Sequence, residues 1–239
     1  MDVISIYIIF FLIIIGVVII PILQYKHKVD EYNKTTYHAI THLSYSEMAN
    51  DKGRRGEYTI YCHLKHYEEQ GFKFLFNVYL PKDNGTTTEI DVLMIGWNGI
   101  YVFESKNYQG WIFGNDRQKY WTTTRSAGYR NSRKYKFYNP VWQNKTHCHV
   151  LGNYLPYDFP IYSLILFADS CEFKNVNISE KNMLLAHYAD TEMIVGECLK
   201  NLPPYDISIE QIYTVLYPFS QVSDDVKQSH IDAIAARER

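Results

Sequence analysis

Twenty-one consecutive residues without a charge, Val3 to Leu23, stand near the start of this 239-residue chain, and 20 of the first 25 residues are apolar. In lipid, a run of this kind satisfies its own backbone polar groups only as a helix. At ~1.5 Å rise per residue it matches the ~30 Å hydrocarbon core of a bilayer. Met1-Asp2 supplies no basic leader, and the run ends at Pro21 and Tyr25-Lys26-His27-Lys28 without a small-residue cleavage site. We therefore read residues 1–25 as a single-pass transmembrane signal anchor that inserts through residues 3–23. A buried helix of a soluble core is the competing reading. Positive charge follows the run and none precedes it, so the C-terminal remainder is expected on the cytoplasmic side of the cell membrane. Cys62, Cys148, Cys171 and Cys198 form no C-x-x-C pair. They read as reduced thiols, which suits a cytosolic domain.

Residues 26–50 are polar and mixed and read as a juxtamembrane linker with some helical character. A helix is predicted from Asp51 to Gln70, where Tyr58, Tyr61, Cys62 and Leu64 fall near helical spacing and Gly71 supplies a stop. Strands follow at Phe74 to Leu80, Ile90 to Ile95 and Ile100 to Ser105, separated by the turn signals Lys82-Asp83-Asn84-Gly85 and Gly96-Trp97-Asn98-Gly99. Weaker strands are expected at Gly110 to Gly114 and Tyr120 to Thr124. A helix opens at Asn139-Pro140 and runs to about Leu155, with Pro140 suited to its first turn. Ile161 to Ala168 reads as a strand buried on both faces. The C-terminal part, residues 156–239, adds a strand at Met183 to His187 and helices at Thr191 to Leu202, Ser208 to Tyr217 and Asp224 to Arg237. The order describes an α/β domain, a mixed sheet flanked by helices, with residues 51–155 as its core.

Chemistry concentrates in the middle strands. Asp91 enters one apolar strand and Glu104 lies near the end of the next, in Tyr101-Val102-Phe103-Glu104-Ser105-Lys106. A strand period of two puts Ile100, Val102, Glu104 and Lys106 on one face, and an antiparallel neighbour can bring Asp91 beside Glu104. Two converging carboxylates suit Mg²⁺ or Mn²⁺, hard cations that keep several waters. A lysine on the same face could position or deprotonate an attacking water, or offset charge on a phosphate. These are the parts of metal-assisted phosphodiester hydrolysis. By itself, Glu104-x-Lys106 could equally be a solvated ion pair, and Glu57 a surface helix residue. His147 and His149 are two apart on a helix and point away from each other, which argues against a zinc pair.

From about Gly53 to Leu155 the chain resembles the NERD (nuclease-related) domain, a branch of the PD-(D/E)XK nuclease superfamily. The resemblance is carried by Gly53-Arg54-Arg55-Gly56-Glu57, Thr88-Glu89-Ile90-Asp91, Gly99 to Asn107 with Gly110, Trp121, and Asn139-Pro140-Val141-Trp142-Gln143-Asn144, in that order. One departure is Val92, where a polar residue or histidine is more usual. The resemblance implies a restriction-endonuclease-like fold, with Asp91 and Glu104 as metal ligands and Lys106 as the catalytic lysine. It further implies that Glu57 is an extra carboxylate near the metal and that Gln143 is a polar neighbour of the same site.

The net charge of −2 conceals an uneven distribution: residues 51–150 carry +6, residues 151–239 carry −7 and the first fifty −1. Within the basic core, Arg117, Lys119, Arg125, Arg130, Arg133, Lys134 and Lys136 are interleaved with Tyr120, Trp121, Tyr129 and Tyr135. Cations track phosphates and aromatic faces stack bases, so these seven are expected nucleic-acid contacts. A solvated loop or an anionic-lipid contact competes with that reading. The acidic C-terminal region is a candidate protein-docking surface. Together these features lead to the expectation of a membrane-anchored, Mg²⁺-dependent nuclease acting on DNA. The alternative keeps the fold without catalysis, as a membrane-tethered nucleic-acid-binding or protein-docking module.

Overall fold

The structure is a computed structural model that describes residues 3–126, 131–155, 159–180, 182–201 and 208–238; Tyr129, Arg130 and Leu202 lie outside the described residues. Helical residues run without a break from α1 (Val3–Ile14) through a five-residue π-helical segment (Ile15–Ile19) into α2 (Ile20–Asn33). The portion Phe10–Asn33 is long and apolar enough to cross a membrane, and its apolar window is unburied. The helix does not end in a free connector. Tyr32, in its last turn, is 1% exposed and donates its hydroxyl to the Leu43 carbonyl at 3.0 Å.

The segment read as a linker is folded. Two short helices follow, α3 (Thr36–Thr41), capped by Thr35, and α4 (Tyr45–Asn50), closed by a reciprocal Ser44–Glu47 capping box. They bury Tyr37, Ile40 and Met48 in the main core. Next comes α5 (Lys52–Leu64), capped by Asp51, and a 3₁₀ turn (Lys65–Gln70) that stops at Gly71. Gly71 has φ 87°, a left-handed conformation that glycine adopts without a Cβ penalty.

The main sheet has five strands in the order β1 (Lys73–Pro81), β2 (Thr87–Gly96), β3 (Gly99–Lys106), β7 (Ile161–Phe167), β9 (Met183–His187). β1–β2 and β2–β3 are antiparallel, whereas β3–β7 and β7–β9 are parallel. The first six residues of β3 are buried, as expected of a central strand covered on both faces. On one side lie α3 to α5 and α7 (Thr191–Asn201), and on the other α6 (Pro140–Gly152). α8 (Ile209–Leu216) and α9 (Asp224–Glu238) pack at the β1–β2 end. The mixed α/β class expected from the element order is what the chain forms.

Two differences stand out. There are two sheets rather than one: β4 (Gly110–Asn115), β5 (Tyr120–Ser126), β6 (Ser132–Tyr138) and β8 (Cys171–Asn177) form a second, in the order β6-β5-β4-β8. Of these, β6 and β8 were not expected. β6 exposes its first five residues and buries only Phe137 well, so no hydrophobic alternation marks it. The second sheet has its own small core, centred on Trp121 stacked against Phe167 with Phe137 beside them.

Candidate active site

The register of β2 and β3 builds the site. Val92 pairs with Phe103, so Asp91 stands where Glu104 leaves the hairpin, and the Ser105 amide donates to Asp91 Oδ2 at 2.8 Å. Lys106, two residues beyond Glu104, returns to the same face and its Nζ lies 2.5 Å from Glu104 Oε1. Across the cleft, α6 presents Gln143, whose Oε1 accepts from Lys106 Nζ at 3.0 Å.

The motif that opens α6 explains why Gln143 is held there. Asn139 caps the helix by accepting from the Val141 amide. Its amide group donates to the carbonyls of Asn115 and Gln118, which ties the helix start to the β4–β5 turn. Asn144, fully buried, donates to Ser163 Oγ at 2.8 Å and to the Val102 carbonyl, fixing the same helix against β3 and β7. The two asparagines position; the glutamine between them reaches the site.

One turn further along α6, His147 enters the cluster, although the spacing argument considered it only as half of a zinc pair. It is 4% exposed, with Nε2 at 3.0 Å from Glu104 Oε2 and Nδ1 at 2.7 Å from Thr88 Oγ1. A carboxylate only accepts, so Nε2 carries the proton and Thr88 can donate to Nδ1. Its signal in the sequence was the i, i+4 spacing from Gln143. Glu89 was also missed as a site residue. It precedes Asp91 by one strand period and accepts from the Tyr79 hydroxyl at 2.5 Å.

Glu57 corrects the surface reading. It is 7% exposed, on the inner face of α5, and its Oε2 accepts from Tyr37 Oη at 3.0 Å and Asn77 Nδ2 at 3.1 Å. The glycine before it makes this packing feasible. A Cβ on Gly56 would lie 2.3 Å from Ser105 Oγ and 2.4 Å from Tyr188 Oη, two hydroxyls bonded to each other. Gly56→Ala must therefore displace these two hydroxyls or push α5 off β3, and it is expected to destabilise the fold by about 1–3 kcal/mol despite the better helix propensity of alanine. Chemical denaturation would measure the loss. Adding Ser105→Ala and Tyr188→Phe should recover part of it if the overlap is the cause.

Negative charge is concentrated beyond what its neighbours balance. Asp91 is pushed well above the usual carboxylate range, first by burial and then by the charges of Glu104 and Glu57. Burial and the nearby Glu89 charge raise Glu57 to about 7. Glu89 is raised, mainly by burial and then by Glu104. Glu104 alone is lowered: burial opposes its charge, but Lys106 and the His147 hydrogen bond outweigh it. Lys106 is correspondingly raised, since Glu104 and Asp91 overcome its own desolvation. Its ammonium is thus held by the Glu104 carboxylate.

The cleft has a volume of about 540 Å³ and is lined by Asp91, Lys106, Gln143 and His147 together with His230 and Ile234 of α9. Among the described residues no set of three or more His, Cys, Asp or Glu side chains forms a ready metal cage. Asp91, pushed toward its protonated form by burial and by the neighbouring charges, and Glu104, held ionised by Lys106 and His147, remain a suitable donor pair for a cation that keeps its waters.

The expected nucleic-acid contacts divide. Arg117 and Lys119 sit in the β4–β5 turn, and Lys136 lines the cleft itself. Lys134 pairs across from Thr124 on the Lys136 face of β6. Arg125 and Arg133 pair with each other on the opposite face, where the Arg125 guanidinium lies 5.7 Å from the centre of the Tyr135 ring.

Comparison with known proteins bears on residues 52–168, which match the family model described as NERD, nuclease-related domain. The match runs past Leu155 and takes in β7. An uncharacterized protein of Bacillus anthracis is 27% identical over 180 residues, which cover 75% of this chain and 82% of that protein. No solved structure matches the chain. The segment that supplies Glu57, Asp91, Glu104, Lys106, Gln143 and His147 is thus similar to nuclease-related domains, which supports a nuclease-related function for the chain.

Proposed function

We propose that the protein is a metal-dependent nuclease that hydrolyses phosphodiester bonds, with DNA as the leading substrate, and that its N-terminal helix anchors it in a membrane with the domain in the cytoplasm. The observation that carries this reading is the meeting of Asp91 and Lys106, which line one cleft, with the buried Glu104 behind them. Asp91 and Glu104 would hold Mg²⁺ or Mn²⁺, because hard oxygen donors whose charges repel one another gain from a divalent cation between them. When bound, that ion supplies an activated water and neutralises charge on the phosphate. Lys106 offers its ammonium to a phosphate oxygen, and Gln143 keeps the amine from rotating away. His147 holds Glu104 in place, with Thr88 fixing its ring. Glu57 and Glu89 extend the negative field around Asp91.

The anchor reading rests on the unburied apolar helix and on a row of exposed residues, including Phe10, Phe11, Ile22 and Leu23. Resistance of the full chain to alkaline extraction from membranes would support it, and release by alkali would count against it.

Metal binding comes before substrate. In detergent-solubilised full chain, Mg²⁺ or Mn²⁺ at about a hundred times its Kd is expected to stabilise the fold by about 2.7 kcal/mol. Asp91→Asn and Glu104→Gln should each abolish that thermal shift. A shift that survives both substitutions would place the ion elsewhere. Retention of nucleic acid with no cleavage under either metal would leave the binding-module alternative.

A further inference from the structure

We propose that the outward face of β5–β6, together with the β4–β5 turn, is a track for single-stranded nucleic acid that feeds one strand into the catalytic cleft. The proposal rests on the nuclease reading of that cleft. Alternation on β6 places Lys134, Lys136 and Tyr138 on one face, and the strand register sets Thr122 opposite Lys136 and Tyr120 opposite Tyr138. The two tyrosines meet edge to face, with ring centres 6.3 Å apart.

Beside them lies a second cavity of about 870 Å³, entered by Arg117, Lys119 and Lys136. The carboxylate among its lining residues, Asp116, is already engaged: Oδ2 accepts from the Ser179 amide at 2.7 Å and also from its hydroxyl. The cavity therefore presents cations to a visiting phosphate. Lys136 lines both this cavity and the catalytic cleft, and Tyr138 also lines the cleft, so the two spaces share a wall. Cations that follow a backbone, interleaved with aromatic rings, are what an unpaired strand requires.

The size of the cleft agrees with an unpaired strand. Its volume of about 540 Å³ is that of a small-molecule pocket, and His230 and Ile234 of α9 line it together with Lys106. That is room for one or two nucleotides. Lysines on β6 would also protect an exposed sheet edge from pairing with another chain. That role needs no second cavity, no shared wall and no tyrosine pair.

The test measures binding in the absence of cleavage. Full-length protein carrying Glu104→Gln, in detergent with EDTA, is titrated into a fluorescent single-stranded oligonucleotide and into its duplex. The single strand is expected to bind at least tenfold more tightly. Lys119→Gln with Lys136→Gln should weaken single-strand binding about tenfold or more. The salt dependence should flatten by about 0.7 per lost contact. Arg125→Gln with Arg133→Gln, on the other face, should change affinity less than about threefold. Exposed Lys119 and Lys136 leave little reason for misfolding, and thermal melts of both double variants check this. Equal losses in the two double variants, equal affinity for duplex, or binding only to phosphatidylserine vesicles would overturn the track. If the wild type cleaves with Mg²⁺ while the track variants bind normally, the track falls and the nuclease reading stands. If the strand is held as described but neither Mg²⁺ nor Mn²⁺ yields cleavage, the nuclease reading falls and the track stands.

Discussion

Glu104→Gln is expected to lower metal-dependent phosphodiester cleavage by at least about 10²-fold while leaving the chain folded. The side chain is 1% exposed, and its two oxygens serve different partners, Lys106 at 2.5 Å and His147 at 3.0 Å. A glutamine keeps the shape and one acceptor, so His147 can retain its partner. What disappears is the negative charge that would hold the metal and that keeps Lys106 protonated against its own burial. Both losses fall on groups proposed to meet the phosphate, and neither requires the backbone to move. Initial cleavage rates under saturating Mg²⁺, paired with a thermal melt, decide the matter. A variant that is folded and retains activity within tenfold of wild type would remove Glu104 from the mechanism. Lys106→Met, which keeps the stem without the charge, should show a loss of similar size.

The second large effect is on stability. The Glu57 carboxyl titrates at about 7 in the fold against an ordinary value of 4.5. Between those two values the folded chain therefore binds more protons than the unfolded one. Stability must then fall as pH rises from about 4.5 to about 7, and level off above. A difference of this size corresponds to about 3 kcal/mol. Glu57→Gln keeps an acceptor for Tyr37 and Asn77 and abolishes the charge. It should raise Tm at pH 8 by roughly 6–12 °C and leave Tm near pH 4.5 unchanged. Glu104 works in the opposite sense. Its lowered value gives stability that is present above the usual carboxylate range and lost as pH falls through its folded value. Acidifying well below 4.5 should therefore destabilise both proteins. Thermal melts at pH 4.5, 6 and 8 test the scheme, and a variant no more stable than wild type at pH 8 refutes it. Saturating Mg²⁺ should mimic part of the gain at pH 8, because a cation relieves the same repulsion.

Much of the site was legible because strand alternation is a strict rule. Asp91, Glu104 and Lys106 fall on their shared face once β2 and β3 are recognised, and the Asn139-Pro140 start of α6 follows from capping chemistry. Applying the same period would have added Glu89, and the helical period from Gln143 would have added His147. What stayed hidden was non-local. β6 carries charges on both faces and a single well-buried side chain, and β8 (Cys171–Asn177) finds its parallel partner β4 some sixty residues earlier along the chain. Burial of Glu57 depends on three elements meeting over Gly56, which no local pattern shows. The segment 26–50 gave no clear period because its core side chains, Tyr32, Tyr37, Ile40 and Met48, are shared among three helices, two of them only six residues long.

The entry of the N-terminal helix into the core through Tyr32 has a mechanical consequence. A flexible tether of that length would let a domain sweep a volume and search for substrate. Here roughly nine residues of unbroken helix, on the order of 14 Å, separate the end of the apolar run from a packed tyrosine. The connection is a mast rather than a leash. In a bilayer it would hold the catalytic cleft at one height and one azimuth, just beyond the ~8–10 Å over which the lipid charge is felt. A nuclease held in this way could not reach out for nucleic acid. It would cut what passes through a thin layer beside the membrane, so its selectivity would be a matter of place as much as of sequence.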